Sequence, residues 1–447
     1  MTLKDQVLER LNLIIDEPEE SELLFDFKKY AIQVSKVLLD NNTPTPFVIA
    51  IHGSWGSGKT SLILEIQKQV QKGISEKSLT TWKELRFDAW EYEKTDVISA
   101  LLHQISAKYK DKKGKIEAFT KSVGLFLTDV ALQKGVGLGL DQAKRHFQEF
   151  IDDIPTIKTK LGDLTQDGRL IVFVDDLDRC HIDNVLDMLE AIKMFLTAEN
   201  VLFVMAVDMR KIERAWKLRY NTDDASIEGL EHIEKIFPLK LSLPPKSSEE
   251  IQKYVKVMCS SLSETEQNII VNSCPSNPRK IKRIVNLAYF ILKNLDDDEN
   301  FDYKVPLVLI WCILTSLYPK LADLIKQEPR SLIQMALPIV LFNDNQEIMR
   351  QRDNFSKVLS ENRNFTLPSM TVGGNWVFPN TINGLLHVID NEPDAMNVLE
   401  VFGKYYNLGH TVNTNDVKEF QRKVETLNNN ILPSLKNVIY NSSLIGN

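Results

Sequence analysis

The sequence predicts an α/β fold: a three-layer sandwich in which helices cover both faces of a mostly parallel sheet, followed by a helical lid and a mainly α C-terminal region. Three observations carry that prediction. Short apolar runs rich in β-formers, at 46–51, 85–90, 170–174, 201–207 and 236–241, alternate with segments of helical period. A glycine cluster separates the first such run from the first helix of the alternation. After Pro244-Pro245 the pattern becomes helical, through 249–262 and then 277–293.

The elements follow in order. Residues 1–44 form a helical lead-in with two helical patterns, the second placing Leu23, Leu24, Phe27, Tyr30, Ala31, Val34, Val37 and Leu38 on one broad face. The breaker cluster 41–46 precedes the first strand, and Gly53 ends that strand. From Lys59 onward Leu62, Ile63, Ile66 and Val70 recur at helical spacing, with Gly73 as the expected stop. The run 85–90 reads as a second strand and 96–109 as the helix after it. Residues 108–167 break the alternation and read as a helical insertion within a core spanning 45–245. Its opening lysines, Lys108, Lys110, Lys112, Lys113 and Lys115, read first as a solvated loop and second as a contact for an anionic membrane or nucleic acid. The lid occupies 246–295, the acidic run 296–299 is a linker, and 303–447 carries no recognisable catalytic motif.

Bulk properties narrow the class. A chain of 447 residues has room for two or three domains. With 54 basic against 61 acidic residues the net charge is −7, which argues against nonspecific nucleic-acid binding by the chain as a whole. Cys180, Cys259, Cys274 and Cys312 form no C-x-x-C pair, so neither a zinc site nor a disulfide framework is suggested, and a cytoplasmic location is expected. The N-terminus has no apolar signal core. The uncharged stretch 305–319 falls short of the roughly 20 apolar residues of a membrane span and reads as a buried helix. A second stretch, 123–140, is interrupted by Asp129, Gln133 and Lys134, so no transmembrane segment is expected.

The glycine cluster is Gly53-Ser54-Trp55-Gly56-Ser57-Gly58-Lys59-Thr60, a complete G-x-x-x-x-G-K-[ST] pattern between a strand and a helix. In that setting the backbone N–H groups from Gly53 to Ser61 converge on phosphate oxygens. Lys59 reaches the β- and γ-phosphates of a nucleoside triphosphate, and the Thr60 hydroxyl ligates magnesium. Glycine is needed because the backbone must approach closely. The strand 170–174 runs into Asp175-Asp176-Leu177-Asp178-Arg179, which puts carboxylates at the C-terminal end of a buried strand, where open parallel sheets bind ligands. Magnesium takes hard oxygen ligands, so Asp175 is placed to hold it together with Thr60. Asp176 is the candidate general base, with helix capping as the competing reading. Arg179 either neutralises this cluster within the subunit or reaches a neighbour's γ-phosphate as an arginine finger. Asp208, ending the strand 201–207, either senses the γ-phosphate or caps the helix that begins at Met209. In Asn277-Pro278-Arg279-Lys280-Ile281-Lys282-Arg283, Arg279 sits in the first turn of a helix and either reaches phosphates or belongs to a solvated basic face.

With Phe87-Asp88-Ala89-Trp90-Glu91-Tyr92, Phe203-Val204-Met205-Ala206-Val207-Asp208 and Asn277-Pro278-Arg279 added to the two motifs above, the chain resembles the KAP NTPases over about residues 20–290. The resemblance implies an additional strand between the strands bearing the phosphate loop and the acidic cluster. It also implies ATP as nucleotide, homo-oligomerisation or coupling to an effector protein, and conflict functions such as phage exclusion. Asp88 stands where that family more often has Asn, and the insertion lacks the membrane helices many members carry. Independently, the absence of an N-K-x-D motif favours ATP over GTP.

Other chemistries have no support. There is no H-E-x-x-H and no G-x-S-x-G, and the seven histidines show no ligand spacing. His52 and His181 flank the two motifs and read first as local packing and second as tuning phosphate binding. The expected function is magnesium-dependent ATP binding and hydrolysis acting as a switch. The alternatives are a nucleotide-gated scaffold with negligible turnover and a nucleic-acid-stimulated ATPase.

Overall fold

The computed structural model describes residues 27–92, 97–112, 114–119, 158–181, 198–220, 236–244, 246–260, 262–274, 277–295, 301–327, 394–406 and 431–442, with shorter pieces at 4–5, 13–15, 185–186, 188–189 and 332–333 and single positions between. The chain divides into two compact units. One is Glu17–Pro245; the other joins Met1–Asp16 to Lys246–Asn447.

The first unit contains α1 (Phe27–Leu38), β1 (Phe47–His52), α2 (Lys59–Glu76), β2 (Lys83–Asp88), α3 (Val97–Lys108), β3 (Leu170–Asp175), β4 (Val201–Val207), α4 (Met209–Tyr220) and β5 (Leu239–Ser242). The strands form one sheet in the order β2-β3-β4-β1-β5, and every pairing is parallel. β4 therefore lies between β1 and β3, the additional strand that the resemblance implied.

Burial explains why these runs are strands. All residues of β3 and β4 are buried, as expected of central parallel strands covered on both sides. Alternate residues enter two separate cores: Val172, Val174, Phe203 and Met205 pack with α3 residues Leu101, Leu102 and Ile105. Ile171, Phe173, Leu202 and Val204 pack with α1 and α2 through Ala31, Leu62, Ile63 and Ile66. The period of two along each strand thus builds the three layers.

Several boundaries differ from the sequence reading. α2 continues past Gly73 to Glu76, and the glycine serves packing instead of a stop: an added Cβ would lie 2.2 Å from Leu39 Cδ1. β2 is Lys83–Asp88 rather than 85–90, since Asp88 accepts the Trp90 N–H and turns the chain into a 3-10 turn at Trp90–Tyr92. β5 begins at Leu239, after Ile236 and Phe237 have entered the core as non-strand residues. Val37, placed on the apolar face of α1, is 42 % exposed. The stretch 123–140 lies outside the described residues, as do His146, His232, His387 and His410. Two lysines of the run opening the insertion are engaged. Lys108 pairs with Glu84 at 3.8 Å, and Lys112 donates to the Leu164 carbonyl at 2.8 Å and to Asp167 at 3.0 Å.

One arginine fixes the entry to β1. Arg169 donates to the carbonyls of Asp40, Asn41 and Thr43 at 2.9, 2.6 and 2.9 Å, and its guanidinium lies 5.2 Å from the Trp82 ring centroid. Those carbonyls lie between α1 and β1, where no ladder satisfies them.

The second unit is helical where described: α5 (Ser248–Met258), α6 (Glu264–Ser273), α7 (Pro278–Asn294), α8 (Phe301–Leu317), α9 (Pro319–Gln327) and α10 (Ala395–Tyr405). Ser247 with Glu250, and Ser263 with Glu266, form reciprocal capping boxes at α5 and α6. Asn277 caps α7, with Pro278 at its first turn. α8 is the buried helix expected at 305–319, and its Trp311 indole donates to Ser442 at 2.9 Å. The side chain of Asn286 on α7 brackets the backbone of Ile14, accepting its N–H at 2.7 Å and donating to its carbonyl at 2.8 Å. Among the described residues, no helix is long and apolar enough to cross a membrane.

Candidate nucleotide site

The loop between β1 and α2 is shaped by its glycines. Gly56 and Gly58 have φ of 79° and 102°, backbone that a Cβ disfavours. A Cβ on Gly58 would also sit 2.9 Å from the ring of Phe27, and one on Gly53 would sit 2.6 Å from Leu243. The turn is closed by the Ser57 N–H and hydroxyl, both donating to the Ser54 carbonyl at 3.1 and 2.6 Å. Trp55 at its tip is 42 % exposed.

Lys59 opens α2, and its ammonium turns back over the loop. Nζ donates to the carbonyls of Gly53 and Ser54 at 2.9 and 3.4 Å and to Asp178 Oδ2 at 3.2 Å. The Thr60 hydroxyl donates to Asp175 Oδ1 at 3.2 Å, joining the loop to the end of β3 across β4. Asp175 is almost wholly buried; its other oxygen accepts from Arg86 at 3.3 Å, and Oδ1 also accepts the Asp176 N–H at 2.9 Å. Burial pushes its carboxyl above the ordinary range, opposed by these donors.

Asp176 follows in a left-handed conformation, φ 52°, and leads into a 3-10 turn at Leu177–Arg179 without capping it through its side chain. Its carboxyl is raised to about 6, first by burial and then by the neighbouring Asp175, with Arg179 opposing. Arg179 Nε lies 2.8 Å from Asp176 Oδ1, a charge contact in which the N–H is not aimed at the oxygen. The Arg179 guanidinium also lies 5.3 Å from the centroid of Trp90, which is 49 % exposed. Both contacts of Arg179 lie within the subunit.

Asp208 ends β4 with a helix cap. Its Oδ1 accepts the Arg210 N–H at 3.2 Å, and the Arg210 guanidinium closes on the same carboxylate at 3.3 Å. His52 Nδ1 accepts the neighbouring Met209 N–H at 3.3 Å, which leaves Nε2 to carry the proton. The first turn of α4 is thus capped from two strands. Lys59, Thr60, Asp175, Asp176 and Arg179 are brought together at the carboxyl ends of the sheet. Arg279 occupies the first turn of α7 in the other unit.

Four participants carried no assigned role in the sequence reading. Arg86 pairs with Asp175, Asp178 pairs with Lys59, Lys211 donates to the Asp178 carbonyl at 2.7 Å, and Phe27 lies against Gly58. The available signal was the alternation in β2, which puts Arg86 and Asp88 on one face at the same sheet end as Asp175.

The donor set suits a triphosphate with a hard divalent cation. Left-handed glycines, a lysine at the loop and a hydroxyl 3.2 Å from a buried carboxylate offer phosphate contacts and two oxygen ligands, the rest of a magnesium shell ordinarily being water and phosphate. Among the described residues there is no cluster of three or more His, Cys, Asp or Glu arranged around a metal position.

Among curated proteins nothing matches the chain. Among solved structures it is similar to the Aeropyrum pernix ORC1 protein in complex with DNA, at 12 % identity and a TM-score of 0.37 over 85 % of this chain and 86 % of that one. It is similar also to AMPPCP-bound DnaA from Aquifex aeolicus, at 10 % identity and a TM-score of 0.32 over 95 % and 100 % of the two chains. A third similarity is to C. elegans PCH-2, at 12 % identity and a TM-score of 0.28 over 70 % and 73 %. The family model of the KAP family P-loop domain matches residues 27–293, more than half of the chain. Beginning at the Phe27 that lies against the phosphate loop and ending in α7, a match of that extent makes the chain a member of the KAP family of P-loop NTPases.

Proposed function

We propose that this chain is a magnesium-dependent ATPase whose nucleotide state switches its conformation or its assembly with further copies or an effector protein. The observation that carries the reading is the Thr60–Asp175 contact with Asp176 next in sequence, its carboxyl raised to about 6. Lys59 and the loop N–H groups bind and orient the β- and γ-phosphates, and Thr60 and Asp175 hold the cation. When bound there, magnesium would supply charge neutralisation to the phosphates. Asp176, ionised at neutral pH yet basic enough to accept a proton, orients the attacking water and takes its proton at a carboxylate oxygen. Arg179, stacked on Trp90, moderates the charge of Asp176. Asp208 and Arg279 are the remaining candidates for sensing the γ-phosphate.

Lys59→Ala is expected to abolish magnesium-dependent ATP binding by equilibrium titration; unchanged ATP affinity would overturn the site. Light scattering after size-exclusion chromatography, in apo, ADP and non-hydrolysable ATP states, tests assembly as the switched output. Turnover with and without candidate effectors separates the ATPase from a nucleotide-gated scaffold. The phage-exclusion role implied by the family resemblance is tested by plating efficiency on bacteria expressing the wild type or Lys59→Ala.

A further inference from the structure

Asp178 is the least expected member of the site. The Lys59–Asp178 pair is deeply buried, with side chains 7 % and 3 % exposed at 3.2 Å. Burial matters because water screens an exposed pair until it contributes little, whereas a buried ammonium without a counter-charge is costly. The carboxylate is also firmly held. The left-handed backbone at Asp176 starts the turn, the Arg179 N–H closes it on the Asp176 carbonyl at 3.0 Å, Leu177 is buried beneath it, and Lys211 donates to the Asp178 carbonyl. A non-glycine residue is disfavoured in that conformation, so the surrounding contacts maintain it.

The same ammonium is the group that β- and γ-phosphate oxygens require. Lys59 has three donors, and two carbonyls and this carboxylate already occupy them. A polyphosphate entering the loop must therefore replace Asp178 or sit beside its negative charge. Both routes set the carboxylate against the nucleotide.

Resting on the nucleotide-binding reading above, we propose that Asp178 competes with the β- and γ-phosphates for the Lys59 ammonium, holding nucleotide affinity down. Removing the carboxylate leaves Lys59 with carbonyl partners only and removes a like charge from the path of the phosphates. Affinity should rise, and only for ligands long enough to reach Lys59.

The test is equilibrium competition for the full chain with magnesium, using AMP, ADP and non-hydrolysable ATP against a fluorescent ADP. Asp178→Asn is expected to bind ADP and the ATP analogue about tenfold tighter, as loss of a close charge competitor implies, with AMP affinity unchanged. Asp178→Glu, which restores the charge, should return affinity toward wild type. Equal or weaker ADP binding by Asp178→Asn, alongside wild-type binding that depends on Lys59, overturns the inference while the nucleotide site stands. A gain that extends equally to AMP also overturns it. Wild-type binding that does not depend on Lys59 overturns the underlying reading instead. Should Asp178→Asn fail to fold, Asp178→Ser gives the same comparison with a smaller neutral side chain.

Discussion

Asp88 and Asp175 stand side by side at the carboxyl ends of adjacent parallel strands, in direct register. Two acidic residues so placed repel, and Asp88 raises the carboxyls of both Asp175 and Asp176. Asp88→Asn keeps an acceptor for the Trp90 N–H and removes the repulsion. The acid limb of the ATPase pH profile is then expected to move to lower pH, which a kcat/KM profile would detect; an unmoved limb would separate Asp88 from the base.

Asp176→Asn should retain nucleotide binding and lose on the order of 10²- to 10⁴-fold in turnover, the range of a removed general base. In the wild type, turnover should rise with pH through about 6 and level off above it, because only the ionised carboxyl accepts a proton.

Stability should respond to the same residue in the opposite sense. A carboxyl raised on folding binds a proton more tightly in the native state than in the unfolded one, so its contribution is present below the unfolded value near 3.8 and is lost as pH rises through about 6. Melting temperatures of Asp176→Asn should therefore gain on wild type between pH 4 and pH 8; a gap that stays constant across that range would contradict the assignment.

Arg169→Ala removes a guanidinium shared among three carbonyls and stacked on Trp82. A loss of about 2–4 kcal/mol is expected from urea unfolding. Since Arg169 sits at the N-terminal end of β3, a full strand's length from Asp175 at its carboxyl end, binding by the folded fraction should change little.

Gly58→Ala combines a disfavoured φ of 102° with a Cβ at 2.9 Å from the Phe27 ring. The expected cost is about 2 kcal/mol together with weakened ATP binding. Adding Phe27→Leu should recover the steric part, leaving the backbone part, as a double-mutant cycle would resolve.

Much of this architecture is legible in the chain because burial and periodicity coincide in it. Val172 and Val174 alternate with Ile171 and Phe173 into two cores, so the run had to be a central strand. The phosphate loop is legible because only glycine takes φ of 79° and 102° readily. Strand ends were less so, since Trp90 and Ile236 are as apolar as strand residues and only the Asp88 side chain and the core contacts of Ile236 show where the ladders stop. Arg86 and Asp178 escaped assignment because their partners are 89 and 119 positions away, and no spacing rule reaches that far.

The interposed strand has a mechanical consequence. β1 and β3 do not touch, so the gap bridged by Thr60 and Asp175 is set by two inter-strand spacings of about 4.8 Å each, with β4 as the spacer. β4 works as a caliper, its backbone width and buried side chains fixing how far apart the loop and the acidic strand end are held. Volume changes at Phe203 or Met205, buried in the core on one face of β4, should alter how well one cation fits between a hydroxyl and a carboxylate, with lost affinity as the readout.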